Sequence, residues 1–209
     1  MFIDWFKVVS YFNMKMDFGG NIMKKTIYFA GGCFWGLEKL YSMLDGVETE
    51  CGFANGKEEI VPNYEMVCNE RTEFKETVKV TYDDEKVNLK LLLFMYFQVI
   101  DPTVRNRQGF DVGRQYQTGI YYVDQETLDI INEIILFEID YAKHFFVEIE
   151  PLKNYFPADE SHQHYLDKHP TGYCHINPIR MTKIIEYVKE HMNGFKYDNA
   201  AKKILRIEI

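Results

Sequence analysis

The sequence predicts an α/β fold of the α+β kind. The expected form is a two-layer sandwich with a ferredoxin-like split β-α-β core and a mixed, mainly antiparallel sheet. Three observations predict it. Short apolar or alternating runs suited to strands recur with helically spaced segments between them, in the order β-α-β-β-α-β-α-β. Neither repeats nor low-complexity tracts break that order. The 209 residues are 46% apolar and 27% charged, the balance of a packed domain rather than a disordered chain.

Each element has its own justification. Thr26–Ala30 is a short apolar run, ended by Gly31-Gly32. Cys33–Leu44 follows with helical spacing, placing Leu37, Leu40, Tyr41 and Leu44 on one face with Gly46 as the stop. Val47–Phe53 is the next strand, and a long loop, Ala54–Thr72, comes after it. Over Glu76–Tyr82, Val78, Val80 and Tyr82 alternate with Thr77, Lys79 and Thr81, so one face of that strand is buried. Asn88 caps an apolar helix, Leu89–Ile100, which Asp101-Pro102 terminates. Gly119–Val123 is a strand, Asp124 caps a helix running to about Lys143, and Phe146–Glu150 is the last strand. Met181–Met192 has helical spacing near the C-terminus.

Gly19-Gly20-Asn21 breaks the chain before Met23-Lys24-Lys25. Residues 1–22 are therefore read as an N-terminal appendage, 23–177 as the domain, and 178–209 as a helix and tail packed on it. Net charge is −8, from 24 basic and 32 acidic residues, which argues against a nucleic-acid footprint. The N-terminal segment carries Asp4, Lys7, Lys15 and Asp17 and has no clean apolar stretch, so no secretory signal is expected. No run reaches the roughly 18 apolar residues of a membrane span. The expected compartment is the cytoplasm, and the expected state a monomer. Four cysteines (Cys33, Cys51, Cys68, Cys174) are too few for a disulfide scaffold, and none forms a C-x-x-C pair.

The sharpest chemical feature is TIYFAGGCFWGLEKL. Cys33 opens a helix, where unpaired N–H groups and the positive dipole end favour thiolate. Phe34 and Trp35 put aromatic walls beside the sulfur, and aromatics are abundant overall, at 16%. The residues alone leave Cys33 open between a reactive thiol and a small core residue. The histidines at 162, 164, 169 and 175 follow no fixed ligand pattern, so a surface or structural role is expected and no metal.

Gly32-Cys33-Phe34-Trp35-Gly36 after a Gly-ended strand resembles the signature of the A-type peptide methionine sulfoxide reductases. The likeness continues through Pro62-Asn63-Tyr64-Glu65-Met66-Val67-Cys68 and Thr72-Glu73-Phe74-Lys75-Glu76. It extends over Asp101-Pro102-Thr103, Asn106-Arg107-Gln108-Gly109, Asp111-Val112-Gly113-Arg114-Gln115-Tyr116, Tyr155-Phe156-Pro157-Ala158 and His162-Gln163. Two stretches depart from the family pattern: Gly52-Phe53-Ala54-Asn55-Gly56, and Glu73-Phe74-Lys75 before the acidic residue.

The resemblance implies reduction of the S epimer of methionine sulfoxide, free or in proteins. It implies Cys33 as nucleophile, Glu76 as proton donor, Tyr64, Tyr116 and Asp111 as the remaining polar groups, and Phe34 with Trp35 around the substrate methyl. Cys174 resembles the residue that resolves a sulfenic acid on Cys33. No cofactor is implied, only reducing equivalents from a thioredoxin-like partner or dithiothreitol. Two rivals stand beside this reading: a cysteine hydrolase using Cys33 with Glu76 as base, and a non-catalytic redox-sensing or methionine-binding module.

Overall fold

The structure, a computed structural model, describes residues 24–69, 71–139, 144–192 and 195–198. The proposed appendage at 1–22 lies outside the described residues. Eight strands are present among those described: β1 (Lys24–Ala30), β2 (Val47–Ala54), β3 (Lys75–Asp83), β4 (Arg107–Gln108), β5 (Asp111–Val112), β6 (Gly119–Tyr122), β7 (Glu148–Pro151) and β8 (Tyr155–Pro157). The helices are α1 (Phe34–Ser42), α2 (Tyr64–Cys68), α3 (Leu89–Val99), α4 (Gln125–Ile139), α5 (Tyr165–Lys168) and α6 (Pro178–His191).

Six strands form one sheet in the order β7-β6-β1-β3-β2-β8, while β4 and β5 pair as a separate hairpin. β3 lies antiparallel between β1 and β2, which α1 connects, and β6 pairs antiparallel with β1. That is the expected split β-α-β core. β8 adds an antiparallel edge on β2, and β7 a parallel edge on β6.

Alternation along the strands sorts the two faces. Ile27, Phe29, Cys51, Phe53, Val78, Val80 and Tyr82 join the main core with Leu37, Leu40 and Leu91–Phe94 of the helices. Tyr28, Ala30, Ala54 and Tyr121 gather in a small cluster of their own, against Leu152 and Tyr155. The caps read from sequence are present: Asn88 Oδ1 accepts from Lys90 N (2.8 Å) and Asp124 Oδ1 from Thr127 N (2.7 Å). Among the described residues no helix is long and apolar enough to cross a membrane.

The loop expected over Ala54–Thr72 contains the one-turn helix α2, capped by Asn63. Residues 140–143, the expected end of α4, lie outside the described residues. Two buried side chains fix the frame around the end of β1. The Tyr96 hydroxyl donates to the carbonyls of Ala30 (2.7 Å) and Gly119 (3.3 Å). Tyr41 donates to Leu92 O (3.0 Å), tying α1 to α3.

Candidate active site

Gly31-Gly32 turns the chain from β1 into α1 and delivers Cys33 as the helix N-cap. Gly32 has φ +85°, and a Cβ there would stand 2.6 Å from Gln108 Cβ, so only glycine fits. Gln108 is itself held by Asp101, accepting from its N–H (2.8 Å) and donating to its carbonyl (2.9 Å). The β4–β5 hairpin is thereby set over the start of α1.

Glu76 enters from β3 on the helix-facing side and is 1% exposed. The Phe34 N–H donates to its Oε2 (3.1 Å), so the first free N–H of α1 is spent on this carboxyl. Glu76 Oε1 is buried with no hydrogen-bond partner among the described residues. Burial pushes the carboxyl up to about 8, against the opposing pull of the Phe34 N–H. Lys75, the neighbour that could hold Glu76 ionised, points to the other face, where its Nζ meets Glu148 Oε2 at 3.2 Å. Phe74 is buried and packs edge-on against Phe156.

The Cys33 thiol differs from the expectation. A helix start favours thiolate, yet burial, then the charges of Glu76 and Asp111, push this thiol well above its ordinary value. The site without substrate therefore holds a thiol. The helix dipole loses because Cys33 is 7% exposed and two carboxyl groups share its surroundings.

The other residues implied by the resemblance converge here. Burial raises both the Tyr64 and Tyr116 phenols, and the charge of Glu76 adds to each. Asp111 also acts on Cys33 and Tyr116, and its Oδ2 is buried without a hydrogen-bond partner among the described residues. His175 Nδ1 stands 3.8 Å from that oxygen. The Tyr173 phenol is pushed up to about 12, by burial first and by Asp111 second.

An aromatic box closes the other side. The His162 ring lies 4.4 Å from Tyr64, 5.5 Å from Phe34 and 5.9 Å from Trp35, centroid to centroid. Trp35 stacks on Tyr165 at 3.8 Å. Burial lowers the His162 and His175 imidazoles, which favours their neutral forms. Gln163 fixes this segment against β2: it accepts from Cys51 N (2.8 Å) and donates to Cys51 O (2.8 Å) and Ala158 O (2.9 Å). Sequence reasoning gave these histidines, Tyr165 and Tyr173 no role in the site. The one available signal is motif position: His162 belongs to the His162-Gln163 match itself, and His175 follows Cys174.

All four cysteines are free. Cys174 is half-buried and rests on α1, where a Cβ on Gly36 would be 3.1 Å from its Sγ. It also acts on the Cys33 thiol. Cys51 is fully buried, and Cys68 interacts with Tyr64. Among the described residues no group of three or more His, Cys, Asp or Glu side chains could hold a metal ion.

Comparison with known proteins points one way. Residues 25–193 match the family model described as peptide methionine sulfoxide reductase. A peptide methionine sulfoxide reductase MsrA of Clostridium perfringens strain 13 is 50% identical over 154 residues, covering 73% of this chain and 98% of its own. One from Mycoplasma genitalium is 47% identical over 154 residues, again covering 73% and 98%. Among solved structures, reduced Mxr1 from Saccharomyces cerevisiae superposes with TM-score 0.66 at 34% identity, over 78% of this chain and 93% of that one. Methionine sulfoxide reductase A of Corynebacterium diphtheriae gives 0.65 at 35% identity, over 74% and 79%. With the Gly-Cys-Phe-Trp-Gly turn, a buried carboxyl beside the thiol and these matches over most of its length, the chain belongs to the peptide methionine sulfoxide reductase family.

Proposed function

We propose that this protein reduces the S epimer of methionine sulfoxide, free or within proteins, with Cys33 as nucleophile and Glu76 as proton donor. One observation carries the reading. Glu76 is a buried carboxyl pushed up to about 8, with one oxygen held by Phe34 N–H and the other unpartnered beside the thiol. A sulfoxide oxygen leaves sulfur only as it is protonated, and a carboxyl that keeps its proton at neutral pH supplies that proton. The same protonation disfavours the hydrolase rival, which needs Glu76 as an ionised base.

The steps balance without an added cofactor. The Cys33 sulfur attacks the sulfoxide sulfur while Glu76 protonates the oxygen. The carboxylate left behind then accepts the thiol proton, which removes the burden of forming a thiolate in advance. The adduct then collapses: its S–S bond and the bond from substrate sulfur to oxygen break as the oxygen bonds to Cys33, which releases methionine and leaves sulfenic acid. Cysteine sulfur is oxidised by two electrons and substrate sulfur reduced by two. Tyr64 and Tyr116 remain protonated and serve as donors to the oxygen, with Asp111 orienting a water beside it. Phe34 and Trp35 hold the methyl group, a sulfur–aromatic contact.

Cys174 then attacks the sulfenic acid, forming a disulfide with Cys33 and releasing water. Its position on α1 supports it over the buried Cys51 and over Cys68. A thioredoxin-like dithiol, or dithiothreitol, reduces the disulfide. We place the protein in the cytoplasm as a monomer. Residues 23–177 form the catalytic unit in this reading, with the following helix packed on it through Met181, Ile184, Ile185 and Val188; of the tail, residues 199–209 lie outside the described residues.

Turnover of methionine-S-sulfoxide and its R epimer with dithiothreitol tests the proposal. Wild type should reduce only the S epimer, Cys33→Ser neither, and Cys51→Ser should retain most of the activity. Full activity in Cys33→Ser overturns the reading.

A further inference from the structure

His175 is a buried imidazole beside the reacting residues, and no step of the reaction above uses it. Its side chain is 5% exposed and that of Asp111 14%, with Nδ1 of the first 3.8 Å from Oδ2 of the second. Neither imidazole nitrogen, nor Asp111 Oδ2, has a hydrogen-bond partner among the described residues. Burying such groups unpaired is costly, and 3.8 Å is too long for a hydrogen bond. Their placement is fixed from two sides. Gln108 and Asp111 pair across the β4–β5 hairpin and so share one of its faces. That face and His175 meet over Gly32, where an added Cβ would stand 2.6 Å from Gln108 Cβ and 3.3 Å from His175 Cε1. His175 therefore packs against the residue that precedes Cys33. Its chain neighbour Cys174 rests one helical turn further on, at Gly36.

We propose that His175 is a positioning residue for sulfoxide reduction: its imidazole hydrogen-bonds Asp111 in the substrate complex and holds that carboxylate toward the site. This rests on the function proposed above, in which Asp111 orients a water beside the sulfoxide oxygen. Asp111 stands on a strand of two residues, and its charge reaches Cys33, Cys174 and Tyr116. A carboxylate among so many groups orients a water only if its own rotation is stopped, which one N–H donor accomplishes. Tyr173, on the same stretch, also acts on Asp111, but it is half exposed, so the buried ring is the partner that excludes water. Burial favours the neutral imidazole, which supplies one N–H without placing a positive charge beside the carboxylate. Hydrogen bonds of this kind are often long in a free enzyme and tighten once substrate is bound.

The test is a single turnover of pre-reduced enzyme on methionine-S-sulfoxide, without added reductant, following methionine release. Release precedes disulfide formation, so resolution by Cys174 does not enter. His175→Leu should lower the saturating rate about tenfold, the usual effect of losing one hydrogen bond to a charged group, with little change in half-saturating concentration. His175→Asn returns an N–H near the place of Nδ1 and should recover to within about threefold of wild type. Asp111→Asn should lower the rate at least as far as His175→Leu. The double variant should then lie within about twofold of Asp111→Asn alone, because the imidazole acts through the carboxylate. If melting curves show that His175→Leu does not fold, the His175 imidazole nitrogen resonances carry the test, and they should shift on Asp111→Asn. Losses that multiply in the double variant overturn the proposal. So do a wild-type rate in His175→Leu, no recovery in His175→Asn, or imidazole resonances indifferent to Asp111→Asn. A loss confined to disulfide formation also overturns it, and assigns His175 to the resolving step. Wild type that releases no methionine sinks the functional reading, and the pairing with it. Normal release in wild type with any of the overturning outcomes sinks the pairing alone.

Discussion

At the scale of single residues the proposed chemistry depends on Glu76 keeping its proton in a buried site. The Glu76→Gln variant keeps the shape and the hydrogen bond from Phe34 N–H but has no transferable proton. Its single-turnover rate should fall by about 10²–10⁴ with little change in substrate affinity. Wild type should lose rate as pH rises through about 8, and the variant should lack that limb. An unchanged single-turnover rate would move the acid role to Asp111 or a tyrosine. Stability carries an independent signature. Between the ordinary value of 4.5 and about 8, folded Glu76 holds a proton that the unfolded chain has released. Stability therefore falls with rising pH across that window and stays low above it. Glu76→Gln should melt higher than wild type at pH 8 and about equally at pH 4, as thermal scans at both pH values would reveal. Much of this site is readable in the sequence, because Cys33, Phe34, Trp35 and Glu76 lie in or next to contiguous motifs. The state of the thiol is not. Helix position is a local property, whereas burial and the nearness of the Glu76 carboxyl, 43 positions away, exist only in the fold.

At the scale of elements the deciding contacts are between segments far apart in sequence. The strands β1, β2, β3 and β6 are readable because alternation or apolar runs over four or more residues report their burial. β8 and the β4–β5 hairpin are too short for a period to show, at three and two residues per strand. β8 forms because Gly52 lets it approach: a Cβ on Gly52 would stand 2.5 Å from Phe156 O. Tyr155 then donates its hydroxyl to Glu50 O (2.9 Å). Gly52→Ala should loosen this edge and the Gln163 tether beyond it, at about 1–3 kcal/mol, the usual range for overpacking. A melting temperature within 1 °C of wild type would show that the edge yields freely. The stretch around Cys174 gives the second prediction at this scale. Cys174→Ser should release one methionine per enzyme at the normal rate and leave sulfenic acid on Cys33, detectable by mass spectrometry. Thioredoxin-driven cycling should drop sharply. Normal cycling would transfer the resolving role to Cys68 or Cys51.

At the scale of the whole molecule, the question is how far the core extends beyond the proposed catalytic unit. The reading from sequence ends that unit at residue 177, because the segment after it carries no motif. Asn177 caps α6 through Ile179 N (2.8 Å), and Pro178 opens it. From there Met181, Ile184, Ile185 and Val188 enter the main core. Tyr187 and Phe195 lie against Phe94 of α3, with centroids 5.2 and 5.4 Å away. The helix spacing is visible in the sequence, but its partner is not, since α3 is apolar nearly all round and offers no stripe to match. Ile184 is fully buried on this seam and contributes nothing to the chemistry, so it isolates packing from function. Ile184→Ala in the full chain removes three carbon atoms from a filled interior and should cost about 2–5 kcal/mol. For a protein of this size that lowers the melting temperature by roughly 5–15 °C. The single-turnover rate at 25 °C should remain that of wild type, because Cys33 and Glu76 are held by β1, α1 and β3. If Ile184→Ala melts within 2 °C of wild type, α6 only rests on the surface. If it melts early and also slows the first turnover, the seam between α3 and α6 helps to set the geometry of the active site.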